Sequence, residues 1–189
     1  TRRYFSIASS PTEKDVKLTT KFADESSTYK NKLKDLNRDE VILAGSLDGD
    51  FVLPNKLDKG LVFIAGGVGI APFRSMIKYI IDNNLKADIT LFYSNKDYDE
   101  IGFTDLFDEA EEKIGLKTVY VLTGKTPPNW SGRRGFITDK MISEEVPDHA
   151  NKIYYISGPD PMVRSYVKLL KNMGISPGQI KTDYFPGYE

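Results

Sequence analysis

The chain has 189 residues, 40% of them hydrophobic and 28% charged, which suffices for one large domain or two small ones with real cores. With 26 Lys and Arg against 27 Asp and Glu, and no block of like charge, neither a nucleic-acid surface nor a polybasic membrane patch is expected. The absence of cysteine and a single histidine remove disulfides, iron–sulfur ligation, thiol nucleophiles and most metal or triad schemes, so no metal site is expected.

No run approaches the ~20 apolar residues that a spanning helix needs, and the amino terminus lacks the charged-then-apolar layout of a signal peptide. A soluble, cytoplasmic protein without a membrane span is the expectation. His149, in "EEVPDHANK", reads as a solvated loop residue rather than a ligand or base.

In chain order, "RYFSIASS" and "VKLTTKF" are short and strand-like, "SSTYKNKLKDL" reads as a short capped helix, and "VILAGSLDGDFVLP" as a strand with a turn-rich tail. Pro, Asn and Gly cluster in "LPNKLDKG", which sets a boundary at 56/57. Beyond it, apolar runs alternate with helical periods: "LVFIAGG", "PFRSMIKYIIDNN", "DITLFYSN", "FTDLFDEAEEKI", "LKTVYVLT", "ITDKMISEEV", "KIYYISG", "PMVRSYVKLLKNMG" and "QIKTDYF". Phe73, Met76, Ile77, Ile80 and Ile81 make one helical stripe, with Pro72 in the first turn, and Met162, Val163, Tyr166, Val167, Leu170 and Met173 make another, stopped by Gly174. Strands separated by amphipathic helices predict an α/β, doubly wound parallel sheet of about five strands.

"GLVFIAGGVGIAPF" raises the first functional question. Gly66, Gly67 and Gly69, with only Val68 among them, lie between a buried strand and a helix, where backbone N–H groups and the positive helix end converge on an anion. The pattern is neither Rossmann G-x-G-x-x-G nor a P-loop, and by itself it fits a phosphate cradle or a tight turn equally.

Its company decides between them. "AGGVGIAPF" resembles the pyridine-nucleotide pyrophosphate loop of the ferredoxin–NADP reductase superfamily. "RYFSIASS" is similar to that superfamily's FAD signature R-x-[YF]-S-x-x-S, "YYISGPDPM" to its Gly-Pro-x-x-Met motif beside the nicotinamide, and "TDYFPGY" to its acidic and aromatic carboxyl end.

The resemblance implies FAD and NAD(P)H as cofactors, a hydride passed between them, and an electron-acceptor protein or domain as partner. It further implies Ser6, Ser157 and Asp183 as catalytic residues, with Ser6 also near the flavin's reactive nitrogen. Arg3, Ser26, Ser27 and Thr28 would meet the flavin diphosphate, Phe5 would pack on the isoalloxazine, and Tyr184 and Phe185 would cover a ring. Gly66, Gly67, Val68, Gly69 and Pro72 would hold the nucleotide pyrophosphate, and Gly158, Pro159 and Met162 the nicotinamide end. Ser94 and Lys96 could take a 2′-phosphate, although Asp97, Asp99 and Glu100 lie close, so NAD and NADP both stay open.

Read without the resemblance, Phe5 and Met162 are core residues, Lys96 a solvated turn residue, and "SSTYK" a helix cap. The signature strand comes midway through the superfamily's FAD barrel, so the chain is expected to carry only the carboxyl-terminal half of an antiparallel barrel in residues 1–56 and an NAD(P)-binding α/β domain in 57–189. The competing reading is a non-catalytic nucleotide-binding module. A flavodoxin-like FMN domain is disfavoured because its Ser/Thr-rich phosphate loop is missing.

Overall fold

The structure, a computed structural model, describes residues 3–22 and 27–185. One sheet of six parallel strands organises it: β1 (Leu61–Gly66), β2 (Ile89–Asn95), β3 (Lys117–Leu122), β4 (Arg133–Arg134), β5 (Ile153–Pro159) and β6 (Ile180–Phe185), in the order β4-β3-β2-β1-β5-β6. Five of these are the expected strands. The sixth, β4, has two residues, too few to carry any periodicity in the sequence.

Every residue of β1 and β2 is buried, which is why both read as nearly continuous apolar runs: central parallel strands are covered on two faces. On one face, α2 (Ile70–Asp82) and α3 (Thr104–Ile114) bring Phe73, Ile77, Ile80, Phe107 and Ala110 onto Phe63, Leu91, Tyr93 and Tyr155. On the other, α4 (Asp139–Glu145) and α5 (Asp160–Asn172) bring Met141, Ile142, Val163, Tyr166 and Leu170 onto Val62, Ile64, Phe92, Tyr154 and Ile156. Helix α2 opens two residues before Pro72; a proline fits there because the first four helical N–H groups have no intrahelical acceptor.

Before residue 60 the expected partial barrel is neither shown nor contradicted by the described residues. Helix α1 (Thr28–Lys34) is present, capped by Ser27, whose Oγ accepts from the Lys30 N–H. Of the expected antiparallel strands, the described residues hold a single Ile7–Leu18 bridge, and Val41, Leu43 and Leu47 stand exposed. A strand persists only beside a partner, and these apolar segments have none within the described residues.

Several attachments fix this region to the sheet. Phe51 sets its ring edge on Phe73 and Tyr155, at 5.8 and 5.3 Å between centroids, and the Tyr155 hydroxyl donates to the Val52 carbonyl at 2.9 Å. Further up, Ala8, Ser9 and Ser10 are buried against α2. There the Arg74 guanidinium donates to the Ala8 carbonyl at 3.0 Å and to both carboxylate oxygens of Glu13, while the Phe103 ring lies 5.7 Å from it. Ser75 Oγ donates to the Ser9 carbonyl at 2.7 Å.

Hydrogen bonding from Arg74, aided by Lys17 and outweighing the cost of burial, holds the Glu13 carboxyl far below the usual carboxylate range. The contribution is therefore complete above the unfolded carboxyl's pKa and is lost as pH falls below it. Replacing Glu13 by Gln strands a guanidinium that is almost wholly buried. In urea titrations Glu13→Gln is expected to lose about 3 kcal/mol at neutral pH and to show a flatter acid limb than the native protein between about pH 5 and 2.

Glycine closes the sheet where β1 meets β5. A Cβ on Gly69 would sit 2.2 Å from the Ser157 carbonyl oxygen and 2.8 Å from Gly158 Cα, and one on Gly66 would sit 2.3 Å from Met162 Sδ. At φ −61° Gly69 has a backbone conformation any residue can adopt, so its demand is for space alone. Gly69→Ala is expected to lower stability by on the order of 3 kcal/mol, read as a shift in urea midpoint, because backbone, not a flexible side chain, must move. Gly67→Ala should cost only the ~1 kcal/mol of a left-handed residue.

Candidate functional site

Strand order reverses between β1 and β5, and in an open parallel sheet the crevice at the carboxyl ends of such strands receives ligands. The segment Gly67–Gly69 leaves β1 there as one tight helical turn and runs directly into α2. Gly67 holds φ +50° and has no atom within 4 Å of the place a Cβ would occupy, so its surface faces open space. The helical stretch that runs on into α2 begins here, and its positive end suits an anion.

The three glycines thus differ in task. Gly67, with partly exposed Val68 beside it, offers backbone to the crevice, whereas Gly66 and Gly69 are small so that Met162 and the β5 backbone can approach. Met162 itself is packed between Gly66 and Gly158, with Pro159 next to it, and so forms a wall of the crevice as well as part of the core.

Across that wall three distant segments meet at one carboxylate. Register pairs Ala65 with Ser157 and Ser157 with Asp183, so β5 and β6 bring both polar residues level with the end of β1. Ser157, fully buried, turns its Oγ to Asp183 Oδ2 at 3.4 Å, and Ser6 Oγ donates to the same oxygen at 2.9 Å. The result is a part-buried carboxylate held by two hydroxyls, able to orient them and to exchange a proton through either.

Alternation along β6 separates its two aromatic residues. Phe185 falls on the Asp183 side, while Tyr184 lies on the α5 side, half exposed, in a groove with Arg164. The expected pair of ring covers therefore splits: only Phe185 shares a face with Asp183.

The remaining residues singled out from the sequence lie around this centre. Phe5 is half-buried, its ring 6.1 Å from that of Tyr29 on α1, and Arg3 is exposed. Ser27 and Thr28 start α1, and Ser26 lies outside the described residues. At the end of β2, Ser94 is buried and Lys96 is exposed. Glu100 is taken by Lys21, whereas the Asp97 carboxylate stays beside Lys96, with its Oδ1 3.1 Å from where a Cβ on Gly124 would stand.

Two residues escaped the sequence reading. Asn95 is 3% exposed and its side-chain amide has no hydrogen-bond partner, a polar end to an otherwise apolar strand. Arg74, on a helical stripe of apolar residues, was hidden because its partner Glu13 is 61 positions away. Among the described residues no group of His, Cys, Asp and Glu could hold a metal ion, and no helix is long and apolar enough to cross a membrane.

Comparison with known proteins agrees with this geometry. The family model described as oxidoreductase NAD-binding domain matches residues 63–168, more than half of the chain. Sulfhydrogenase 2 subunit gamma of Pyrococcus furiosus is 30% identical over 187 residues, covering 93% of this chain and 64% of its own length. NADH-cytochrome b5 reductase 1 of Aspergillus terreus is 34% identical over 134 residues, 67% of this chain and 45% of its own length. The chain thus spans less than two thirds of either relative. Among solved structures, ferredoxin-NADP+ reductase from Plasmodium falciparum superposes with a TM-score of 0.75 at 18% identity, over 96% of this chain and 76% of its own, a likeness of fold. With a family match laid over this sheet and its glycine turn, the chain belongs to the oxidoreductase NAD-binding domain family, within the ferredoxin–NADP reductase superfamily.

Proposed function

We propose that this chain works in a flavin-dependent oxidoreductase that passes a hydride between NAD(P)H and FAD and sends electrons on to a partner protein or domain. The observation that carries the reading is the meeting of Ser6, Ser157 and Asp183 at the crevice beside Gly67. A module that only binds a nucleotide has no need of a carboxylate gripped by hydroxyls from both ends of the chain.

The residues present fit the two groups. For the nucleotide, Gly67 leaves open the space that a Cβ would fill, in front of the α2 amino end, which suits a pyrophosphate. For the flavin, Ser6 on Asp183 and half-buried Phe5 beside Tyr29 would meet the ring system, and Arg3, Ser27 and Thr28 would hold the diphosphate. In this reading residues 1–56 serve the flavin and 57–189 the nicotinamide nucleotide. When bound, the nicotinamide supplies a hydride and the flavin accepts it.

The chain's own work is then orientation, exclusion of water and proton handling. Gly67 and Val68, at the positive end of the helical stretch that leads into α2, would hold the pyrophosphate. Gly158, Pro159 and Met162 would wall the nicotinamide end, and the Ser157 hydroxyl, held by Asp183, would help to orient it. Asp183 Oδ2 takes or returns a proton through Ser6 Oγ, and Phe185 keeps water from that face. Lys96 is an exposed cation followed by Asp97 and Asp99, so a 2′-phosphate would meet opposing charge; we infer a preference for NADH. The name of the NADH-cytochrome b5 reductase relative supports the same choice.

The full-length protein is expected to carry FAD whose visible absorbance NADH bleaches under anaerobic conditions; colourless protein that cannot be reconstituted with FAD would overturn the reading. In stopped-flow reduction, Ser157→Ala and Asp183→Asn should each slow bleaching by about 10²-fold with little change in nucleotide affinity, since they touch the step and not the phosphates. NADPH should bind at least about tenfold more weakly than NADH, and Asp97→Ser should narrow that gap by removing a repelling charge.

A further inference from the structure

Strand β6 is the last strand of the sheet, and no described strand pairs with its outer edge. Helix α5 overhangs that edge, and between them runs an open groove of about 490 Å³. Its floor is apolar, made by Val163, Val167 and the Tyr184 ring, and its outer wall carries Lys168 and Lys171. Asp160, the groove's acidic residue, is already held by Arg164 at 2.7 Å. Lys168 and Lys171 have no carboxylate partner among the described residues.

We propose that this groove docks an extended acidic segment of a partner protein, added as a strand to β6. The backbone edge supplies the hydrogen bonds that a free strand needs, and the apolar floor supplies burial for one side chain. Charge settles the partner's chemistry: the groove is positive in a chain whose net charge is −1. Spacing settles its pattern. Lys168 and Lys171 are one helical turn apart, about 5 Å along the axis, and alternate residues of a strand repeat every ~6.6 Å on one face. An extended segment with acidic residues at alternate positions can therefore meet both ammonium groups while its backbone follows β6. The inference stands on the groove alone and does not depend on the redox reading.

The test uses the full-length protein and a capped, soluble peptide with Glu at alternate positions and Val between, compared with the same peptide carrying Lys for Glu. Fluorescence anisotropy should give a submillimolar Kd for the Glu peptide that weakens steeply between about 0.02 and 0.5 M salt. Hydrogen exchange should slow within residues 180–185 on addition of the Glu peptide. The double variant Lys168→Glu/Lys171→Glu, at exposed positions that leave the fold intact, should weaken binding by about tenfold or more. The proposal is overturned if the Glu peptide fails to bind, if the Lys peptide binds as well, if charge reversal changes nothing, or if self-association of the protein covers β6 and excludes the peptide.

Discussion

The backbones of β1 and β5 approach so closely at their carboxyl ends that the loop after β1 has no room for a side chain at Gly69 and almost none at Gly66. That approach governs the rest of the molecule. It brings Ser157 level with Ala65 and hence Asp183 level with both, because parallel register leaves no freedom once two strands are aligned. It directs the chain after Gly69 into α2 at the angle that leaves Gly67 facing outward. A crevice with an anion-favouring floor and a carboxylate on its rim follows from one packing constraint.

The amino-terminal segment reaches that rim by a different force. Ser6 meets Asp183 because residues 8–13, just along the chain, are gripped by α2 through the Arg74 guanidinium. A buried guanidinium is costly unless its donors are matched, and here a carbonyl and a carboxylate match most of them. The ion pair is thus better understood as a positional device than as a source of stability. It permits one placement of the Ser6 strand against the sheet and penalises others, and the aromatic contacts of Phe51 with Phe73 and Tyr155 hold the far end of the region in the same way.

Charge is distributed unevenly between helices α3 and α5. Exposed residues of α3 are mainly acidic, with Asp105, Asp108, Glu109, Glu111 and Glu112 against Lys113, while α5 offers Arg164, Lys168 and Lys171 against Asp160. The near-zero net charge conceals this asymmetry.

The sequence by itself determined the sheet and its helices, since buried parallel strands and one-sided helices impose periodicities that survive without coordinates: "LVFIAG" is apolar throughout because β1 is covered twice, and Phe73 to Ile81 repeat with the helical turn. It also marked the glycine turn and the residues of the crevice, because those motifs are local. Tertiary structure alone decided what each glycine is for, since the neighbour that excludes a Cβ at Gly69 lies 88 positions away at Ser157. It alone separated Tyr184 from Phe185, joined Arg74 to Glu13, added β4, and paired Ile7 with Leu18. Those outcomes depend on which distant surface covers which segment, and a strand's side-chain pattern is satisfied only when another strand arrives to pair with it.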